Sequence, residues 1–205
     1  MKREPGAVLL LANGELRDPK GARALARSVS AVLCADGGAR HAKTLGLIPD
    51  WVVGDMDSLP RPAPKSWKDT VYWCDFDEQR GDLAKALDFA RQAGARKVYL
   101  AGALGGGLDH ELVNLAVLEE CPPGLELVVI GGGEARLLGP GLHRPKLPKG
   151  RRFSLLAAPR ARVTLTGARY GLADEHLRRG SRGLGNRSEG AVVLRVRDGR
   201  VWILS

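Results

Sequence analysis

No apolar run in this chain approaches the roughly 20 residues that a membrane-spanning helix needs, which sets aside a helical membrane protein. The opening stretch "MKREPGAVLLLANGEL" places basic residues before apolar ones, as a secretion signal does. Its apolar run is short, however, and stops at Asn13-Gly14 without a small-residue cleavage pattern, so a first core strand is the expectation. Cysteine is scarce. Cys34, Cys74 and Cys121 lie far apart and match no metal-ligand spacing, so neither a disulfide framework nor a zinc site is expected. A reduced, cytoplasmic protein follows from that usage.

Acidic residues are what the last third lacks. Residues 1–135 hold 16 Lys+Arg against 19 Asp+Glu, a balance of −3, whereas residues 136–205 hold 16 against 4, a balance of +12. The change falls just after Gly131-Gly132-Gly133 and divides the chain into two candidate domains, 1–135 and 136–205. The basic part carries no interleaved aromatics and no nucleic-acid motif, so attraction of an anionic substrate explains its charge at least as well as nucleic acid does.

What is present begins with alternation. Strand candidates occupy 7–12, 31–35, 51–54, 70–74, 97–102 and 125–131, each a continuous apolar run of the kind found where both faces of a parallel sheet are covered. Helical patterns separate them: Leu83, Leu87 and Ala90 recur at helical spacing in "DLAKALDFARQAG", and "DHELVNLAVLEE" divides an apolar from a wet face. The pattern predicts a Rossmann-like, mostly parallel α/β domain, whose ligands bind beyond the carboxyl ends of the strands. After residue 135 the helical patterns stop. Short strands at 151–158, 162–167, 191–197 and 200–205, with a hairpin signal at Asp198-Gly199, predict a small antiparallel β-sandwich domain.

Acids follow the predicted strands of the first part. Asp36 precedes Gly37 and Gly38, "WVVGDMDSL" carries Asp55 and Asp57, Asp75 and Asp77 lead to Asp82, and Asp109 opens the next helix. Singly, Asp36, Asp82 and Asp109 suit helix N-caps, and Asp57 with Ser58 suits a turn. Together on one sheet edge they would repel one another unless a cation neutralised them. Oxygen donors without nearby His or Cys favour Mg²⁺, and Mg²⁺ points to a phosphate substrate. The glycines of "GALGGG" (102–107) would let backbone amides approach phosphate oxygens.

The ordered set "ADGGA" (35–39), "PDWVVGDMDS" (49–58), "DLAKAL" (82–87) and "GALGGGLDHELVN" (102–114) resembles the thiamine pyrophosphokinase family. "GARYGL" (167–172) and "GLGN" (183–186) continue the likeness into the second part. The resemblance implies transfer of a pyrophosphoryl group from ATP to the hydroxyl of thiamine, with AMP released. It also implies a homodimer whose acceptor site lies at the subunit interface. By the same motifs, Asp55, Asp57 and Asp82 would hold Mg²⁺, and Asp109 would join this acidic edge as a fourth catalytic residue. Asp36, Gly37, Gly38, Gly105, Gly106, His110 and Asn114 would bind the nucleotide. Asp82 or its neighbour Glu78 would accept the hydroxyl proton.

Four positions depart from the family pattern: Gln79 and Gly81 before Asp82, Gly107 where an arginine precedes Asp-His, and Arg187 after Asn186. An arginine absent from a phosphate site removes a strong donor, which Arg40 or Arg80 would have to replace. These departures keep three other readings in view: a pyrophosphokinase acting on a hydroxymethylpterin or similar alcohol, a non-catalytic nucleotide- or thiamine-binding module, and a nucleic-acid binder using the basic part.

Overall fold

The computed structural model describes residues 3–121 and 124–205. Two compact units emerge, Met1–Gly132 and Gly133–Ser205. In the first, strands β1 (Glu4–Leu11), β2 (Val29–Ala35), β3 (Trp51–Gly54), β4 (Val71–Cys74), β5 (Lys97–Ala101) and β6 (Glu126–Ile130) coincide closely with the six apolar runs. They lie in the order β6-β5-β1-β2-β3-β4, and every pairing is parallel. Helices α1 (Pro19–Ala26), α2 (Ala39–Leu45), α3 (Asp82–Gln92) and α4 (Leu108–Glu120) connect them. The short α1 is set by local chemistry: Asp18 accepts from the Gly21 amide at 2.9 Å, and Pro19 stands at the first helical position.

Leu9, Leu11, Val32, Cys34, Val52 and Ala101 from four strands pack with Ala22, Ala39, Ala42 and Leu45 from α1 and α2. Burying each leucine of this cluster contributes about 1.5–3 kcal/mol. The small alanines let the helices approach the sheet closely. Gly38 belongs to the same contact, because a Cβ there would lie 2.0 Å from the Leu11 carbonyl oxygen. One expectation fails at the edge. All four residues of β4 are exposed, since β4 pairs on one side only and its apolar run is not covered on both faces.

The sheet order fixes where a ligand sits. The chain proceeds from β1 outward through β2, β3 and β4, then crosses to β5 on the other flank of β1. The loops leaving β1 and β5 therefore diverge at a topological switch point, where open α/β sheets form a crevice.

The second unit differs from its sequence reading. It contains β7 (Glu134–Leu138), β8 (Gly141–His143), β9 (Arg152–Ala168), β10 (Leu172–Arg178) and β11 (Asn186–Leu204). Segments 151–158 and 162–167 belong to one strand of 17 residues, and 191–197 and 200–205 to one of 19. Asp198-Gly199 makes no hairpin. It bends β11 at a shift in its pairing with β9, between Val196 opposite Val163 and Val201 opposite Ala157. Gly199 takes φ +73°, and a Cβ there would lie 2.1 Å from the Arg160 carbonyl oxygen, so the dipeptide serves as a bulge. Phe153, Leu155, Val163, Leu165, Leu194 and Val201 form the core of this unit.

Candidate active site

The first acid arises where β2 ends. Asp36 holds φ +33°, a left-handed conformation uncommon outside glycine, and only 2% of its surface is exposed. Its Oδ2 accepts from the Ser58 amide at 3.2 Å, while Oδ1 is buried with no hydrogen-bond partner among the described residues. An unsatisfied buried carboxylate oxygen is costly in a folded protein. Burial pushes the Asp36 carboxyl above its ordinary range, and the charges of Asp55 and Asp57 push the same way, against the opposing Ser58 bond.

The next two acids follow β3. Gly54 is required there, since a Cβ would sit 2.6 Å from that of Asp36. Met56 takes φ +70°, and the Asp57 amide donates to Asp55 Oδ1 at 3.2 Å, so the chain folds tightly around the pair. Strain of this kind persists where the surroundings enforce it. The outcome is a cluster: Asp36, Asp55 and Asp57 each bring a carboxylate oxygen to within 4.8 Å of the others.

Asp82 stands beside this cluster. Its Oδ1 lies 3.1 Å from where a Gly54 Cβ would be, and its carboxyl is raised first by burial, then by the charge of Asp36. Lys85 opposes that rise from 3.7 Å. Lys85 is 5% exposed and donates to the Asp75 carbonyl oxygen at 2.9 Å, tying the end of β4 to α3. The sequence reading passed over this lysine. The signal was available in its position one helical turn after Asp82, but burial of a lysine is not legible from spacing.

Capping, the alternative role for these acids, is not what Asp82 and Asp109 do. Gly81 and Gly107 occupy the N-cap positions of α3 and α4, and Asp82 and Asp109 lie within the first turns. There they favour the positive end of the helix without satisfying it. Asp75 and Asp77 act in turns of their own loop, accepting from the Asp77 and Gln79 amides at 3.0 Å each. They do not join the cluster.

A cleft of about 530 Å³ opens at the switch point. Asn13 and Gly14 line it from the loop after β1, Gly105, Gly106 and Gly107 from the loop after β5, and Asp82, Asp109, His110 and Asn114 from α3 and α4. Asp109 and His110 are exposed, and the Asn114 amide donates to the Ala103 carbonyl at 2.7 Å. Gly37 and Gly38 are buried beneath it, where Gly37 leaves space for the Asn13 side chain. Asn13-Gly14 was missed as site material because the pair reads equally well as a strand terminator. Of the arginines considered for the phosphate, Arg80 pairs with Asp88, and Arg40 Nε donates to the Gly37 carbonyl at 3.4 Å.

In the second unit, Asn186 is buried and clamps Tyr170 in both directions: its Oδ1 accepts from the Tyr170 amide at 3.1 Å, and its Nδ2 donates to the Tyr170 carbonyl at 2.8 Å. The Tyr170 ring is left exposed. Trp202 is buried in the unit.

Comparison with known proteins identifies relatives of the chain. Residues 22–129 match the family described as thiamin pyrophosphokinase, catalytic domain. Thiamine pyrophosphokinase 2 of Arabidopsis thaliana is 31% identical over a stretch covering 72% of this chain and 67% of its own length. Thiamine pyrophosphokinase 1 of the same plant is 28% identical with the same coverage. Among solved structures, thiamine pyrophosphokinase from Bacillus subtilis superposes with a TM-score of 0.79 at 20% identity, covering 97% of each chain. Thiamin pyrophosphokinase from Candida albicans superposes with 0.72 at 17% identity, covering 97% of this chain and 88% of that one. These structures share the mixed α/β fold.

Proposed function

Because the chain belongs to the thiamin pyrophosphokinase family, we infer that it transfers a pyrophosphoryl group from ATP to the hydroxyl of thiamine, giving thiamine diphosphate and AMP. The observation that carries this reading at the site is the carboxylate cluster of Asp36, Asp55 and Asp57 beside a glycine-rich cleft. The family frame also supports naming the units a Rossmann-like nucleotide-binding domain and a β-sandwich; the sequence reading sets their boundary at 135/136 and the compact units at 132/133.

The donor set fits Mg²⁺. It consists of oxygens alone, and Asp36 Oδ1 is a buried atom that such an ion would satisfy. We assign Asp55, Asp57 and Asp82 to the ion as the sequence proposed, and add Asp36. When bound, Mg²⁺ supplies charge neutralisation along the phosphate chain. The remaining work falls to the protein. Gly105 and Gly106 admit phosphate oxygens close to the backbone, and Asp109, His110 and Asn114 shape the nucleotide side of the cleft. The thiamine hydroxyl oxygen attacks the β-phosphorus, the bond from that phosphorus to the α-phosphate oxygen breaks, and AMP leaves. Asp82 or its neighbour Glu78 takes the hydroxyl proton. Positioning contributes most, since phosphoryl transfer asks little of a base.

We further read the chain as a homodimer of a reducing, cytoplasmic compartment. The opposite charges of its two parts favour self-association, and Cys74 is an exposed free thiol. Sedimentation should show two chains per particle. No helix among the described residues is long and apolar enough to cross a membrane.

The deciding assay combines the protein with ATP, Mg²⁺ and thiamine. AMP and thiamine diphosphate should form in equal amounts. ADP in place of AMP would identify a kinase acting at the terminal phosphorus. AMP formed only with a hydroxymethylpterin would replace the acceptor. ATP bound without any nucleotide product would identify a binding module.

A further inference from the structure

The glycine loop after β5 already carries a carboxylate. Glu111, in the first turn of α4, places Oε1 2.6 Å from the Gly105 amide nitrogen. That backbone donor is the kind a phosphate oxygen uses, and a carboxylate oxygen takes it in the same manner. Arg17 stands behind the pair. Its Nη2 lies 3.9 Å from the same Glu111 Oε1, and its Nε donates to Glu15 Oε2 at 3.0 Å.

The backbone beneath these side chains is fixed. The Gly14 amide donates to the Gly102 carbonyl at 2.7 Å, and a Cβ on Gly14 would lie 2.6 Å from that oxygen. A Cβ on Gly105 would lie 2.3 Å from that of Glu15. The loops leaving β1 and β5 are thus pressed together at the cleft, with no room for a side chain at Gly14 or Gly105. The side chains retain freedom: those of Arg17, Glu15 and Glu111 are 46%, 62% and 33% exposed. Two carboxylates share one guanidinium, so the trio bears a net negative charge beside Gly105, which lines the cleft.

We propose that Arg17 is a phosphate-binding residue of this cleft and that Glu111 is an internal stand-in for the phosphate, exchanged when nucleotide binds. This rests on the nucleotide reading given above. A phosphate oxygen takes the Gly105 amide, Glu111 turns to solvent, and Arg17 swings from its carboxylates to the phosphate, where its planar fork makes paired hydrogen bonds. The exchange accounts for an anion site that is stable without its anion. It also supplies the arginine that Gly107 does not, from a loop far away in sequence.

Three variants test this by calorimetric titration of ATP with Mg²⁺ present and thiamine absent, followed by steady-state assay. Arg17→Gln should weaken ATP binding about tenfold to a hundredfold, the range for losing one charge-assisted contact, with the loss falling on KM for ATP more than on kcat. Glu111→Ala should tighten ATP binding, and in the Arg17→Gln background that gain should shrink. Glu111→Gln keeps a hydrogen-bond acceptor for the loop and removes only the charge, so it should also tighten binding if Glu111→Ala proves unstable. Unchanged ATP affinity in Arg17→Gln overturns the proposal while the enzyme reading stands. Weaker ATP binding in folded Glu111→Gln overturns it too, because Glu111 would then be a brace. Failure of the unaltered protein to bind ATP removes the nucleotide reading and this proposal with it.

Discussion

Lys85 Nζ lies 3.7 Å from Asp82 Oδ1, with the lysine side chain 4% exposed and the aspartate side chain 38%. This ammonium is a built-in cation beside the carboxylate of Asp82, which also feels the charges of Asp36, Asp55 and Asp57, and it holds the Asp75 carbonyl as well. Lys85→Met should therefore destabilise the metal-free protein by about 1–3 kcal/mol, the usual cost of leaving a buried polar partner unsatisfied. The same variant should bind Mg²⁺ more tightly, because a competing positive charge has gone. Melting curves in chelator and Mg²⁺ titration check the two effects. A variant that matches the parent in both would reduce Lys85 to a bystander.

Asp55→Asn and Asp57→Asn should each abolish AMP release at saturating Mg²⁺ and leave the fold intact, since both side chains are exposed and hold no core contact. Each should raise the melting temperature of the metal-free protein slightly by relieving like-charge repulsion. Turnover near that of the parent in either variant would remove Asp55 and Asp57 from the metal site.

Acid should stabilise the metal-free protein through the same cluster. Asp36 and Asp82 are raised by burial first, so the folded state holds their protons more firmly than the unfolded chain does. Stability from these groups accordingly falls as pH rises from the ordinary carboxylate value through the raised one, and returns on acidification. Melting temperatures in chelator from about pH 4 to 7 should show a shallower fall for Asp36→Asn than for the parent. Parallel curves would show that Asp36 does not titrate in this window.

Gly107→Arg tests the other route to a phosphate arginine. Gly107 has φ −74° and ψ 144°, open to any residue, and its new Cβ would clash with the movable end of Asp109, whose Oδ1 lies 2.4 Å away, and meet His110 at an ordinary contact distance of 3.6 Å. The variant should fold and leave ATP affinity unaltered, because Arg17 already serves the phosphate as proposed above. Tighter binding would show that the phosphate lacks an arginine in the parent and would count against that role for Arg17.

Gly38→Ala should cost about 1–3 kcal/mol, as overpacking in a rigid core does, because the obstacle is the Leu11 carbonyl of the central strand. Thermal melting gives the result directly. An unchanged midpoint would show that α2 can slide away from β1.

By itself the sequence determined the parallel strands β1, β2, β3, β5 and β6, because strands buried on both faces must be continuous apolar runs and their turns must carry polar or glycine residues; the edge strand β4 has the apolar run without the burial. It also determined that Asp36, Asp55, Asp57 and Asp82 follow strands of one sheet, since parallel strands end on one edge. Which acids meet was decided only in three dimensions. Asp75 and Asp77 have the same spacing as Asp55 and Asp57, and Asp75 accepts from the Asp77 amide as Asp55 does from that of Asp57, yet only the Asp55–Asp57 pair, folded by Gly54 and Met56, meets Asp36. Asp198-Gly199 likewise reads as a hairpin locally and becomes a bulge because β9 lies alongside. The contact of Arg17 and Glu15 with the loop around Gly105 depends on β5 settling beside β1, about ninety residues away along the chain. Local chemistry records what a residue prefers, and strand order, a property of the whole sheet, decides which preferences meet.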